Sequence, residues 1–222
     1  MIIDNVDAEY LDSESTKELM AEYEKEGKRK VLVVPSGVPF DDLEDFTNKR
    51  GRFILKEVAE TNFGFRQVIP YSIVMNYRNK KILTYLKNKD SNEDRLHGFW
   101  SIGVGGHVEP FDGTGWNAVE NAMKREMNEE IGITPQKTVG EIYIRLDDTE
   151  VDRVHLAVAR IVKGWQGKFK PSREIPDWEW CTVEQLKERN LETWSEFALN
   201  WLLREWGDLL GITKKDPAFT GK

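Results

Sequence analysis

Arg125-Glu126-Met127-Asn128-Glu129-Glu130-Ile131-Gly132-Ile133 is the stretch on which the reading of this chain turns. Glu126, Glu129 and Glu130 stand at i, i+3 and i+4, a spacing that puts three carboxylates on one side of a helix. Like charges so close repel and weaken the helix that carries them. A divalent cation removes that penalty, and oxygen-only donors of this kind suit Mg²⁺ or Mn²⁺. A solvated acidic helix face is the competing reading, and the flanking sequence decides between the two.

Working backward, the helix is expected over Asn117–Ile131. Asn117 and Glu120 have the spacing of a capping box, and Val119, Ala122, Met123 and Met127 make one apolar stripe. Gly132 is placed to end it. Upstream, Phe99–Val104 reads as a strand closed by Gly105-Gly106, where a backbone carbonyl could face a cation. Val68–Asn76 and Lys81–Leu86 read as a hairpin across the turn Tyr77–Lys80, with Pro70 weakening the start of the first strand. Downstream, Glu141–Asp147 and Arg153–Val162 read as strands joined by a turn at Asp147–Glu150. Trp178–Thr182 reads as a short last strand, and Val183–Arg189 and Trp194–Trp206 as helices. Before residue 65 the signals are a helix around Ser15–Glu26, a strand at Lys30–Val34, and a loosely helical stretch Asp41–Glu60 broken at Gly51. Strands and helices in this order imply an α/β (α+β) sandwich with a mixed sheet.

The quoted stretch resembles the second half of the signature of the Nudix hydrolases, Arg-Glu-apolar-x-Glu-Glu-x-Gly-apolar, at every defined position. The first half departs from it. Five residues after Gly106 comes Asp112 where the family has Glu, and twelve residues rather than seven then lead to Arg125. This reads as a five-residue insertion around Gly113-Thr114-Gly115-Trp116, with Asp112 and Glu109 as candidates for the displaced acid. Leu96–Val108 and Trp180–Leu186 are similar to the strand entering the box and the last strand and helix in a bacterial and phage branch of the family. The resemblance implies a Nudix-type α/β/α sandwich over residues 65–210, with an α/β extension at 1–64 and a tail at 211–222.

It also implies a chemistry: metal-dependent, in-line attack of water on phosphorus that splits a diphosphate linked to another group. Glu126, Glu129, Glu130 and the Gly105 carbonyl would hold Mg²⁺ or Mn²⁺, with Arg125 positioning the cluster or holding a phosphate. Family members often recruit a further carboxylate from a loop, and Glu174 is the candidate, with Asp177 and Glu179 as competitors. Arg95, His97 and His107 are candidate phosphate contacts. His155, in an apolar pattern, reads as structural; Trp100, Trp116 and Phe65 read either as core or as platforms for a base.

Composition narrows the alternatives. A formal charge of -7 speaks against a nucleic-acid partner and against a decapping role, leaving a small nucleotide or diphosphate compound as substrate. The single cysteine, Cys181, excludes a disulfide framework and lies far from where an isopentenyl diphosphate isomerase would need one. No apolar run is long enough for a bilayer and the start lacks the features of a signal peptide, so a cytoplasmic location and no membrane partner are expected. A Nudix-fold sensor with little turnover is the rival, supported by the inserted loop, though several such domains lose the carboxylates kept here. Trp194–Trp206 reads as a homodimer contact or as a core-facing helix.

Overall fold

In the computed structural model of this chain, the structure describes residues 27–87, 96–175 and 177–210. The helix expected around Ser15–Glu26, the candidate Arg95 and the tail 211–222 lie outside the described residues. The elements in order are β1 (Lys30–Pro35), α1 (Leu43–Arg50), β2 (Arg52–Leu55), α2 (Lys56–Ala59), β3 (Phe65–Asn76), β4 (Lys81–Leu86), β5 (Trp100–Ser101) and β6 (Gly103–Val104). They continue with α3 (Gly115–Ile131), β7 (Ile133–Ile144), α4 (Glu150–Val154), β8 (His155–Gly167), β9 (Trp178–Cys181), α5 (Val183–Lys187) and α6 (Thr193–Leu210). Among the described residues no helix is long and apolar enough to cross a membrane.

The chain divides into two compact units. One takes residues up to Pro70 with Gly106–Ala122 and Arg145–Ala157. In it β1 pairs antiparallel with β2, from Lys30 opposite Leu55 to Val33 opposite Arg52, and with the first residues of β3. Val31, Val33, Ile54, Leu55, Val58, Ala59 and Phe65 form its apolar cluster. The stretch Asp41–Glu60, read as loosely helical, is helix, strand and helix. Gly51 takes extended angles and ends α1, and Arg52–Leu55 then add to the edge of β1. A four-residue strand is too short to show a period of its own.

The other unit takes Tyr71–Gly105, Met123–Ile144 and the chain from Val158 on. Here the second half of β3 pairs antiparallel with β4 and β6, and β4 with β5 and β9. β8 pairs with β7, and a parallel bridge joins Trp100 to Leu191. Its core holds Val74, Leu83, Tyr85, Val104, Met123, Met127, Ile131, Ile133, Val162 and Ile175, so the apolar stripe of α3 does face a core, as its spacing implied. Leu199, Trp201 and Leu202 of α6 are buried in the chain itself, which favours the core-facing reading of that helix.

Several elements differ from the sequence expectation. The strand expected at Phe99–Val104 is broken at Ile102 into β5 and β6, because Ser195 Oγ takes the Ile102 N–H at 3.0 Å. β7 begins at Ile133, eight residues before the expected start, directly after α3; its first part alternates no apolar face that would mark a strand. The turn expected at Asp147–Glu150 runs into α4, which takes in Arg153 and Val154. Thr149 and Asp152 cap it reciprocally, Thr149 Oγ1 accepting the Asp152 N–H at 3.1 Å.

Gly103 sits where only glycine fits. A Cβ there would stand 2.0 Å from Tyr71 Cζ, inside a ring that is buried and held by its hydroxyl. Gly103→Ala is expected to destabilise the protein by about 1–3 kcal/mol, the usual cost of overpacking a core, read as a lower urea midpoint at unchanged slope.

Candidate active site

The last two turns of α3 carry the acidic face. Glu126 is buried, Glu129 is exposed, and Glu130 is half-buried. Arg125 reaches both of its neighbours, donating from Nη1 to Glu126 Oε1 at 2.7 Å and to Glu129 Oε2 at 3.1 Å. The guanidinium thus aligns two carboxylates of the same face. α3 ends as expected at Gly132, whose φ of +73° is easy only for glycine. Its N–H bonds the Asn128 carbonyl at 3.0 Å, and a Cβ would meet the Lys168 carbonyl oxygen at 2.8 Å.

The loop carrying Glu174 is pinned to the end of that helix. Ser172 N–H donates to the Glu130 carbonyl at 2.7 Å and Lys170 N–H to the Ile131 carbonyl at 2.9 Å, satisfying carbonyls that a helix end leaves open. Glu174 itself is exposed in the turn that follows, with its N–H on Ser172 Oγ at 3.2 Å. Of its competitors, Glu179 pairs with Arg189, and Asp177 uses its backbone carbonyl to accept the Leu86 N–H at 2.9 Å.

These groups feel one another. Burial raises the Glu130 carboxyl well above the ordinary range. Glu126, Glu174 and Glu129 raise it further, and Lys87 opposes them. Burial also pushes the Tyr85 phenol well up, with Glu130 and Glu192 adding to the effect, so Tyr85 stays neutral and donates to the Gly103 carbonyl at 2.8 Å. That bond holds β6, and Gly105 follows β6 directly. Val104 shares a core cluster with Met123, Met127 and Ile131, so the strand leading to Gly105 packs against the helix that bears the carboxylates.

A carboxyl raised in the folded state takes up a proton on folding. The stability it brings is present in acid and is lost as pH rises from about 4.3, the unfolded value, through the folded pKa. Without metal, Glu130→Gln is therefore expected to melt higher than the unsubstituted protein at pH 8. The two should melt together near pH 4, as calorimetry across that range would show.

Sequence reasoning missed two members of this neighbourhood. Lys87 directly follows β4, and its Nζ lies 3.2 Å from Glu192 Oε2. Glu192, buried before α6, also accepts from Tyr71 at 2.9 Å and Ser101 at 2.6 Å. The only sequence signal was a lysine at a strand end. His97 is half-buried in the turn before β5, and that turn is tied to Lys87, whose carbonyl accepts the Gly98 N–H at 2.9 Å.

Both candidates for the displaced first acid lie at one turn. Asp112, buried, ends the 3-10 turn Pro110–Asp112, its carboxylate accepting the Glu109 N–H at 2.9 Å. Its carbonyl accepts from Asn121 Nδ2 at 2.9 Å, and Glu109 pairs with Arg29. The stretch read as an insertion, Gly113–Trp116, runs from the end of this turn into α3, which begins at Gly115 and not at Asn117. Asn117 lies inside the helix; Asn48 of α1 accepts the Trp116 N–H at 2.8 Å in its place. Trp116 and Phe65 are buried, the core reading of both, and the Trp100 ring faces the Arg189 guanidinium at 4.4 Å. The His107 ring lies 5.8 Å from that of His155.

Comparison with known proteins agrees with this architecture. The NUDIX domain family model matches residues 70–202. Protein YmaB of Bacillus subtilis (strain 168) is 29% identical over 156 residues, which cover 65% of this chain and 74% of YmaB. The crystal structure of Tm1382 superposes with a TM-score of 0.64 at 28% identity, covering 79% of this chain and 99% of that one. The NUDIX domain of Shewanella oneidensis NrtR, crystallised with ADP-ribose, has the same fold, with a TM-score of 0.50 at 11% identity over 63% of this chain and 87% of that domain. With the mixed sheet, the helices packed on it and the carboxylate helix in place, the chain belongs to the Nudix hydrolase family, whose members act on pyrophosphate bonds.

Proposed function

We propose that this chain hydrolyses a diphosphate linkage in a nucleoside-diphosphate-linked small molecule, with Mg²⁺ or Mn²⁺ held by Glu126, Glu129, Glu130 and the Gly105 carbonyl. The observation that carries this reading is the acidic face at the end of α3, where Arg125 Nη1 holds Glu126 and Glu129 together and Glu130 lies beside them. Glu126, Glu129 and Glu174 act on Glu130 against Lys87, and Arg125 pairs with Glu126 and Glu129. The donors are oxygens, which suits a hard dication such as Mg²⁺ or Mn²⁺. When bound, such an ion neutralises phosphate charge and favours attack by water at phosphorus.

The protein's own groups have separate tasks in this reading. Arg125 holds Glu126 and Glu129 in one orientation. Glu174, exposed in a turn anchored to the end of α3, would take a proton from the attacking water at its carboxylate. Lys87, kept in place by Glu192, and His97 supply positive or donor groups for the phosphate oxygens, and Arg95 joins them as an expectation from sequence. The segment assigned to this chemistry is residues 65–210.

The test is phosphate or nucleotide release from a panel of nucleoside triphosphates, nucleotide sugars, dinucleotide polyphosphates and ADP-ribose, with Mg²⁺, with Mn²⁺ and with chelator. ADP-ribose belongs in the panel because a domain of this fold has been crystallised with it. Metal-dependent release from one class names the substrate. Release unaffected by chelator would overturn the metal assignment, and no release by folded protein would turn the reading toward a binding domain.

A further inference from the structure

The chain has three histidines, and two of them converge on one carboxylate. One ligand atom each of Glu60, His107 and His155 lies within 4.8 Å of the others. All three belong to the same compact unit, the one without the box carboxylates. Glu60 follows α2, His107 lies in the loop after Gly106, and His155 opens β8.

We propose that Glu60, His107 and His155 form a second metal site, for a transition-metal dication of the Zn²⁺ type, which cross-links three stretches of chain far apart in sequence. Imidazole nitrogen is a poor choice for Mg²⁺ and a common one for Zn²⁺, and two histidines with one carboxylate make a known three-ligand set for it.

The tautomer is already correct. His155 Nδ1 lies 2.8 Å from the Val151 carbonyl oxygen, which can only accept. Nδ1 therefore carries the proton, and in the neutral ring the lone pair sits on Nε2, the atom 3.7 Å from Glu60 Oε1. A backbone carbonyl behind the ring is how ligating histidines are commonly oriented. Glu60 is oriented too, its Oε1 accepting from Gln67 Nε2 at 3.1 Å. The junction that presents His155 is fixed by Arg66, whose Nη1 donates to the carbonyls of Leu146 at 2.9 Å, Asp152 at 2.6 Å and His155 at 3.3 Å. Asp147 takes Arg66 Nη2 at 2.5 Å and offsets its charge.

Ligands about 2.0–2.1 Å from a tetrahedral ion stand about 3.4 Å apart. The His155–Glu60 separation of 3.7 Å is close to that already, and one ligand atom of half-buried His107 lies within 4.8 Å of both. A simple His155–Glu60 ion pair would need neither the third ligand nor the Nδ1–H anchor.

The experiment uses the full chain carrying Glu129→Gln and Glu130→Gln, stripped with chelator, so that the box cannot account for binding. Titration with ZnCl₂ is expected to give one tight equivalent that survives desalting. Zn²⁺ at a hundredfold excess over Kd should raise Tm by roughly 5–10 °C, while Mg²⁺ does not. Adding Glu60→Gln or His107→Gln, both at half-buried positions, should abolish the equivalent and the shift. Zinc-edge X-ray absorption on the otherwise unsubstituted chain is expected to show two imidazoles. No retained equivalent, retention in the Glu60 and His107 variants, or an edge spectrum without imidazole would overturn the site. None of these results depends on hydrolase activity.

Discussion

Glu130→Gln and Glu129→Gln are each expected to lower kcat by roughly 10²–10³-fold, the scale on which losing one group that stabilises developing charge is felt. Both substitutions keep the shape of the side chain and remove the charge that would hold a cation. The two differ in what they do to the protein without metal. Glu129 is exposed, and a neutral side chain there changes stability by no more than about 0.5 kcal/mol. Glu130 sits in a negative field, so its replacement relieves repulsion. A variant that is as stable as the parent, or more so, and yet inactive separates chemistry from folding. Single-turnover rates at saturating Mg²⁺ would measure it. Unchanged rates in both variants would remove the carboxylate mechanism altogether.

What could be read in advance was local. The box helix announced itself because its apolar stripe, its acidic face and its terminal glycine all lie within seventeen residues. The hairpin β3–β4 did so because strand, turn and strand follow one another directly. The features that escaped are joined through space. Asn48 caps a helix that begins at residue 115, and no spacing rule connects them. Ser195 breaks the strand at Ile102 from ninety-three residues away. The start of β7 is hidden because its residues face solvent for much of their length, which leaves no alternation to detect. Single residues such as Lys87 and Glu60 carry no pattern, and only the fold shows what they meet.

The largest stability effect is expected at one of those unread residues. Glu192 is buried beside Tyr71, Ser101, Ser195 and Lys87. Burial, together with the nearby Glu192 charge, pushes the Tyr71 phenol well above its usual value, so it remains a neutral donor. Glu192→Ala would leave three hydroxyls without their common acceptor and the Lys87 ammonium, itself largely covered, without its partner. Removing one member of a buried pair in this way costs about 3–5 kcal/mol. For a chain of this size that lowers Tm by roughly 10 °C, measured by calorimetry. Glu192→Gln, which keeps an acceptor, should lose less. A Glu192→Leu, Lys87→Met double variant should lose less than Glu192→Ala alone, because no uncompensated charge remains. Since Ser101 leads through Gly103 to Gly105, and Lys87 bears on Glu130, the Glu192→Ala protein should also lose kcat at temperatures where it is still folded. A Glu192→Ala protein with unchanged Tm would mean that water solvates Lys87 and the hydroxyls as well as the carboxylate does, and the network would then contribute shape without stability.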